Sequence, residues 1–220
     1  MIIPALNEED HIKQTLQSVQ SLRGKGHEVI VVDGGSNDET CEMASEMADQ
    51  IITFSPGRAI QMNAGAKKST GDIFVFLHAD TILPDNAEQK ILAIAADKLY
   101  FWGRFKVRLS GKHWLFRIIE CCMNLRIRLT GIVTGDHSLF ISKQLFEKID
   151  GFSEIELMED IVISRKLKKI SDPICLSETV TTSSRRWEKH GIIRTILQMW
   201  WLRFKFILGV ASLTLARQYD

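Results

Sequence analysis

The sequence predicts an α/β protein, a mixed and mainly parallel sheet with helices on both faces. Three observations carry that expectation. Short apolar strands alternate with helix-length amphipathic stretches from Met1 to Asp80. One strand, residues 29–32, is a continuous apolar run rich in valine, the pattern of a strand buried on both faces. Two strands end in an acid, Asp33 and Asp80, that the sheet itself has no use for.

Residues 1–4 read as the first strand, after which Asn7 is placed to cap a helix carrying Ile12, Leu16 and Val19 on one face. The strand at 29–32 runs into Asp33-Gly34-Gly35-Ser36-Asn37-Asp38. Its glycines allow a sharp turn, and its polar residues cap a helix reaching Ala48. Residues 51–54 form another strand, 60–68 a helix ended by Gly71, and 73–77 a fourth strand closing on His78-Ala79-Asp80. Beyond Asp80 the pattern changes. Phe105, Val107 and Leu109 alternate with Arg104, Lys106 and Arg108, the period of a half-buried strand. Residues 114–129 are helical, with Trp114, Ile118, Cys121 or Cys122, and Leu125 on one face. Residues 138–141 read as a strand and 158–168 as a helix that begins with acids. From Ile192 onward the chain is a basic, aromatic helix or helix pair.

A length of 220 residues suits one domain with or without a helical appendage. The balance of 45% apolar and 25% charged residues excludes a disordered chain. The net charge of +1 names no partner, and no nucleic-acid ligand is expected. Between Lys98 and Thr130, however, eight Lys or Arg face the single acid Glu120, which suits phosphates, an anionic membrane surface or simply a solvated face. Cys41, Cys121, Cys122 and Cys175 show no metal-ligand spacing and no disulfide framework. Without a signal peptide, the expected compartment is the cytoplasm. The most apolar stretch, 206–216, is too short to span a bilayer. The first strand starts so close to Met1 that the sequence reads as lacking a few residues at its start.

Ligands in open α/β sheets sit beyond the carboxyl ends of the strands, which draws attention to Asp33 and Asp80. Asp33 is equally a turn cap. Asp80, immediately after five apolar residues, is placed to ligate Mg²⁺ or Mn²⁺, which take one or two carboxylates together with substrate phosphates. Glu159-Asp160 is either a functional pair or two acids favoured by the dipole of a helix N-terminus. Gly135-Asp136-His137 either shapes a pocket or caps a turn.

The segments IIPALNEE, VVDGGSNDET, GRAIQMNAGAKKSTGD, FLHAD and GDHSLFISKQLFEKIDGF…MEDIVISRKL occur in the order found in inverting family 2 glycosyltransferases, and the chain resembles that family over roughly residues 1–170. GRAIQMNAGA and SSRRWEKHG more particularly resemble a bacterial subgroup associated with radical-SAM or selenodomain proteins and linked to arsenosugar biosynthesis. The resemblance implies a GT-A fold and transfer of a sugar from a UDP- or GDP-sugar to an acceptor hydroxyl with divalent-cation assistance. Pro4, Leu6 and Glu8 fall where the family holds the nucleobase and ribose, and Asp33 where an Asp bonds the base. Arg58 and Asn63 lie in the segment that closes over the donor. His78, Ala79 and Asp80 stand at the DxD motif, with Asp80 at its metal-binding position. Asp160, beside Glu159, matches the catalytic base. Gly135 and Asp136 then border the acceptor, and Arg186-Trp187 is similar to an arginine–tryptophan motif of processive members that contacts acceptor or donor phosphate. A Trp187 anchored in the core is an equal reading.

Two departures stand out. Leu6 replaces a common Tyr, which leaves the nucleotide open, and His78 replaces the first Asp of DxD, which lowers the negative charge at a metal. The expected organisation is a nucleotide-binding half over 1–97, an acceptor half over 98–190 and an amphipathic helical tail over 191–220. The tail's mix of Trp200, Trp201, Phe204 and Phe206 with Arg194, Arg203 and Lys205 suits an interfacial helix on a membrane. It also suits packing on its own domain, which is favoured, or on a dimer partner. A nucleotidyltransferase is a rival, but PALNEE is acidic and lacks the glycine-rich phosphate loop. A dehydrogenase is disfavoured because no GxGxxG follows a strand. A non-catalytic, membrane-associated binding module is the rival from a different class.

Overall fold

In the computed structural model, which describes residues 1–219, the first half of the chain follows the expected alternation. Strand β1 (Ile2–Ala5) leads to helix α1 (Glu9–Arg23), β2 (Ile30–Asp33) to α2 (Thr40–Ser45), and β3 (Gln50–Thr53) to α3 (Arg58–Lys68). Strand β4 (Ile73–Val75) and the short β5 (Thr81–Ile82) flank the His78-Ala79-Asp80 turn and precede α4 (Ala87–Asp97). Then come β6 (Trp102–Leu109), α5 (Trp114–Thr130), β7 (Leu139–Ser142), α6 (Lys143–Lys148), α7 (Glu159–Lys168) and β8 (Ile174–Thr182). Three helices follow: α8 (Arg185–His190), α9 (Ile192–Ile207) and α10 (Ser212–Tyr219).

Strands β1, β2 and β3 pair in parallel, Ile2 opposite Ile30 and Ile30 opposite Gln50. On its other side β1 meets the end of β4: Ile2 bridges Phe76 in parallel, and the Leu77 N–H donates to the Ile2 carbonyl at 3.0 Å. The second half is mixed, in the order β4-β7-β6-β8-β5, with β6 and β8 parallel and the other pairs antiparallel. Along the parallel strands, side chains alternate between two cores. Ile3 and Val31 pack with Ile12, Leu16 and Val19 of α1 and Ile91 of α4. Ile2, Ile30 and Val32 pack on the opposite face with Ala59 and Met62 of α3 and Phe146 of α6. Both faces are covered, so these strands are apolar throughout. Gly65 lets α3 lie close to the sheet, because a Cβ there would fall 2.5 Å from Ile2 Cγ2.

Two local expectations are corrected, and the direction of a third feature is settled. Asn7 does not cap α1. Glu8 holds that position without a side-chain cap bond, while Asn7, at φ 53°, accepts from the Asn37 N–H at 2.9 Å. The helix expected to reach Ala48 closes at Ser45. In α5 the apolar stripe faces outward: Trp114, Ile118 and Leu125 are exposed, and the buried side carries Glu120 and Asn124. The reason is the open edge of β6. The Val107 N–H donates to Asn124 Oδ1 at 3.0 Å and the Leu109 N–H to Glu120 Oε1 at 2.6 Å. Asn124 Nδ2 returns a bond to the Val107 carbonyl at 3.0 Å. Buried backbone groups must be paired, and here a polar helix face pairs them instead of a strand.

The tail starts at Ile192, as read, and packs on the domain. Leu202 and Leu215 join Leu157, Met158 and Ile161 in one buried cluster, while Ile192 and Ile196 pack toward Phe116 and Ile119. Phe206 and Val210 pack partly against the first of these clusters, while Leu197, Trp201, Phe204 and Ile207 are exposed. Among the described residues, no helix is long and apolar enough to cross a membrane.

Candidate active site

Helices connect β1 outward to β2 and β3, whereas β4 lies on the opposite side of β1, so the winding of the sheet reverses between β1 and β4. Loops splay apart at such a point and leave a crevice beyond the strand ends. A cleft of about 1120 Å³ lies there, lined by Pro4, Leu6 and Glu8 after β1 and by His78, Ala79 and Asp80 after β4. Arg58 opens α3 on one wall. Asp136, Arg185, Arg186, Trp187 and parts of α5 and α9 close the others.

Beyond the ends of β1 and β4, Arg185 links two acids. Its Nη2 pairs with Glu8 Oε1 and stands 3.5 Å from Asp80 Oδ2. Burial works against the Arg185 charge, but Glu8 and then Asp80 outweigh it, and its pKa is raised. Glu8 Oε2 is buried and has no hydrogen-bond partner among the described residues. Among the described residues no three His, Cys, Asp or Glu converge as a metal cage. Asp80 therefore fits Mg²⁺ or Mn²⁺ as a single carboxylate ligand, with the other positions left to phosphate oxygens and water.

Behind His78 the acids of α7 are arranged by backbone geometry. Met158 caps the helix at φ 72°, a left-handed conformation that a bulky side chain adopts only under constraint from its surroundings. It is buried in the cluster with Leu202 and Leu215. The next two side chains diverge. Glu159 is buried and turns to Arg58, with Nε 3.6 Å from Oε1; burial raises its pKa against the pull of Arg58. Asp160 accepts from the Ile161 N–H at 2.7 Å and from the Gly135 N–H at 3.4 Å. Glu159, Asp160, Gly135 and His78 line a cavity of about 20 Å³ adjoining the main cleft. A Cβ on Gly135 would fall 2.3 Å from His78 Nε2, so a larger residue there would push the His78 ring aside. His78 Nδ1 lies 3.7 Å from Asp136 Oδ1, which carries the chain of contacts back to the cleft.

Two expected ligands are used by the fold instead. Asp33 is buried, and its carboxylate accepts from the Gly35 and Ser36 N–H groups at 2.9 and 3.0 Å and from the Ser36 hydroxyl at 2.5 Å. It locks its own turn and does not line the cleft. Asn63 exchanges two bonds with the backbone of Phe152, donating at 2.9 Å and accepting at 3.0 Å. Glu159 likewise serves Arg58 rather than facing the cleft. Trp187 lines the cleft and packs beside Phe116 and Ile119. Arg186 stacks on Tyr219, 3.5 Å from the ring centre, and donates to the Tyr219 carbonyl. Arg185, part of the Arg185-Arg186-Trp187 run that the sequence marks as a candidate contact, lines the cleft, whereas two cleft residues escaped the sequence reading: Arg126 of α5 and Arg203 of α9. Their only signal there was basic character within apolar stretches.

The family model of glycosyl transferase family 2 matches residues 1–143, from β1 to the start of α6. The chain belongs to glycosyl transferase family 2. Among its relatives, an undecaprenyl-phosphate 4-deoxy-4-formamido-L-arabinose transferase of Enterobacter sp. (strain 638) is 28% identical over 152 residues, 64% of this chain and 46% of the relative. A dolichol-phosphate mannosyltransferase of Pyrococcus furiosus is 30% identical over 99 residues, 42% of this chain and 28% of the relative. The chain thus spans less than half the length of these curated relatives. Its fold is similar to S. aureus TarS 1-349 in complex with UDP-GlcNAc, with TM-score 0.67 and 18% identity over 83% of this chain and 57% of that one. It is also similar to glucosyl-3-phosphoglycerate synthase from Mycobacterium tuberculosis in complex with Mn²⁺, UDP and phosphoglyceric acid. There the TM-score is 0.58 and the identity 18%, over 83% of this chain and 67% of that one. These likenesses establish the GT-A fold for this family 2 chain. Asp160, Arg185 and Arg186 all lie beyond the segment that the family model matches.

Proposed function

We propose that this family 2 chain transfers a sugar from a UDP- or GDP-sugar to an acceptor hydroxyl, with inversion at the anomeric carbon. One observation carries the reading. A single cleft at the switch point of the sheet brings Glu8, Asp80 and Arg185 together, with Asp160 reached through His78 and Gly135. Residues 1–97 form the donor half, 98–190 the acceptor half, and 191–220 a tail that walls the acceptor side.

Pro4 and Leu6 border the nucleoside, and the free Glu8 Oε2 accepts a ribose hydroxyl. Arg58 and Arg185 neutralise the diphosphate, assisted by a divalent cation on Asp80 that stabilises the leaving group when bound. Asp160 takes the proton as the acceptor oxygen attacks the anomeric carbon, and the bond to the departing phosphate breaks with its electron pair on the nucleoside diphosphate. The relative crystallised with Mn²⁺ and UDP supports cation use. GRAIQMNAGA and SSRRWEKHG support membership of the radical-SAM- or selenodomain-associated subgroup.

The outer faces of α5 and α9 are the membrane-facing side in this reading, on the inner face of the bilayer. They expose Trp114, Leu125, Leu129, Leu197, Trp201 and Phe204. The only acid in α5, Glu120, is buried, and residues 189–219 contain none at all. An apolar face with basic and no acidic neighbours suits an anionic bilayer. Relatives named for undecaprenyl-phosphate and dolichol-phosphate support this placement.

A screen of nucleotide sugars with purified protein tests the activity. Cation-dependent release of UDP or GDP with loss of the sugar is the expected result. Binding without turnover of any donor would assign the chain to a binding module. Pyrophosphate release from a nucleoside triphosphate and a sugar phosphate would assign it to nucleotidyl transfer.

A further inference from the structure

Two arginines line the cleft with no carboxylate among the described residues in ion-pair contact. Arg126 reaches in from α5 and Arg203 from α9. Among the described residues, neither forms an ion pair. Arg126 donates from Nη2 to Thr134 Oγ1 at 3.1 Å, and Arg203 Nε is buried without a hydrogen-bond partner among the described residues. Both are half-buried, and Arg203 works against the charge of Arg126. Burial, and then the nearby Arg203, hold the Arg126 pKa down to about 10, against the pull of Asp160 and Asp136. Two like charges withdrawn from water without a counter-ion cost stability, and the fold offers no gain in return. An anion between them would reverse that cost.

The surroundings say what kind of anion. Two guanidinium groups match the charge of one phosphate dianion and its several acceptor oxygens, which planar donors grip well. Arg126 bonds Thr134, whose neighbour Gly135 donates its N–H to Asp160, so the pair stands on the side of Asp160 and apart from the Glu8–Asp80–Arg185 contacts. The cleft also opens on apolar surface there, since Ile118 and Trp200 line it and are 50% and 68% exposed. We propose that Arg126 and Arg203 hold a phosphate group of the acceptor and so make this chain selective for phosphate-bearing acceptors. This deepens the sugar-transfer reading and rests on it for the word acceptor; the anion site itself does not.

Calorimetry on the full chain, with and without saturating UDP or GDP, tests the site with two probes, inorganic phosphate and octyl phosphate. Octyl phosphate should bind in the presence of the nucleotide. The Arg126→Gln/Arg203→Gln variant should lose about 10- to 100-fold in that affinity, the worth of a charge-assisted hydrogen bond or more. The Arg126→Lys/Arg203→Lys variant should retain most of it. Nucleotide affinity and melting temperature report folding, and Arg203→Gln alone serves if the double variant does not fold. Tighter binding of octyl phosphate than of inorganic phosphate assigns a lipid phosphate, and equal binding a water-soluble one. Unchanged octyl phosphate affinity in the glutamine variant overturns the proposal. So does displacement of octyl phosphate by the nucleotide, which would make this the donor diphosphate site. Arginine-dependent phosphate binding by a protein that binds and turns over no nucleotide sugar would sink sugar transfer and leave the anion site standing.

Discussion

Arg185 Nη2 lies 3.5 Å from Asp80 Oδ2 while pairing with Glu8, so the carboxylate best placed for a cation already faces a positive side chain. The two therefore make separable contributions to diphosphate binding. Mn²⁺ should strengthen UDP or GDP binding by the wild type, and Asp80→Ala should abolish that gain. Arg185→Gln should instead weaken diphosphate binding by about 10-fold with or without the metal, the worth of one charge-assisted contact. Calorimetry in Mn²⁺ and in chelator compares them. Equal metal dependence in the wild type and Asp80→Ala would remove Asp80 from the metal site.

Leu202 in the tail is 1% exposed and shares a cluster with Met158, the strained residue that starts α7. Leu202→Ala should cost about 2–5 kcal/mol in urea unfolding, as large-to-small core changes do. It should also slow transfer, because the constraint on Met158 sets the direction of Asp160. Trp201→Ala, one position along on the exposed face, should change stability by no more than about 0.5 kcal/mol. Equal effects of the two would mean that the tail does not support α7.

The exposed face of α9 gives a different test. Leu197→Ser, Trp201→Ser and Ile207→Ser together remove apolar surface outside the cleft. Each lost side chain is worth about 1–2 kcal/mol of burial, so binding to phosphatidylglycerol vesicles should fall by at least about 10-fold. Sedimentation of the wild type as a dimer, with no vesicle binding, would assign this face to a second copy of the chain.

His137 makes stability depend on pH. It is fully buried, and burial, then Arg104 and Arg126, push its pKa well below its ordinary value near 6.5. The folded protein keeps the ring neutral, whereas the unfolded chain takes up a proton below that value. Stability is therefore complete above about pH 6.5 and falls as the pH drops, by up to about 1.4 kcal/mol per pH unit for one proton. Urea unfolding between pH 7.5 and 5.5 should show this slope, and His137→Gln should flatten it. A slope unchanged in the variant would assign the acid sensitivity elsewhere.

The sequence made the donor half legible because strands buried on both faces are written as unbroken apolar runs, and because an acid after such a run marks a strand end. Asp80 was found that way. Asp33 caps its own turn, one of the two readings its sequence allowed, whereas Asn63 pairs with the backbone of Phe152, a partner distant in the chain. Periodicity located the apolar stripe of α5 but could not say which side faced the protein, since that depends on Asn124 and Glu120 meeting an open edge of β6. Arg126 and Arg203 lie far apart in the chain on two apolar helices, and only the fold makes them a pair.

Asp160 is where the proposed chemistry makes its sharpest demand. Its Oδ1 is tied to the Ile161 N–H and its Oδ2 is held more loosely, 3.4 Å from the Gly135 N–H, on the side of His78 and the acceptor wall. A base is required only when the acceptor hydroxyl attacks, whereas nucleotide binding depends on Glu8, Arg58 and Arg185. Asp160→Asn keeps the shape and the Oδ1 acceptor but removes most of the basicity. Transfer should fall by about 10²-fold or more, the usual contribution of a positioned base. UDP or GDP affinity should stay within about two-fold, since lost chemistry need not alter ground-state binding. If Asp160 merely favours the start of α7 through the helix dipole, the same variant loses about 0.3–1 kcal/mol of stability and turns over normally. If the attacking group is an already ionised phosphate oxygen, no base is needed, and transfer would persist while the Arg126 and Arg203 variants fail. Transfer rate, nucleotide affinity and melting temperature of this variant separate the first two cases, and transfer by the Arg126 and Arg203 variants identifies the third. Near-normal transfer would leave the reaction without an identified base.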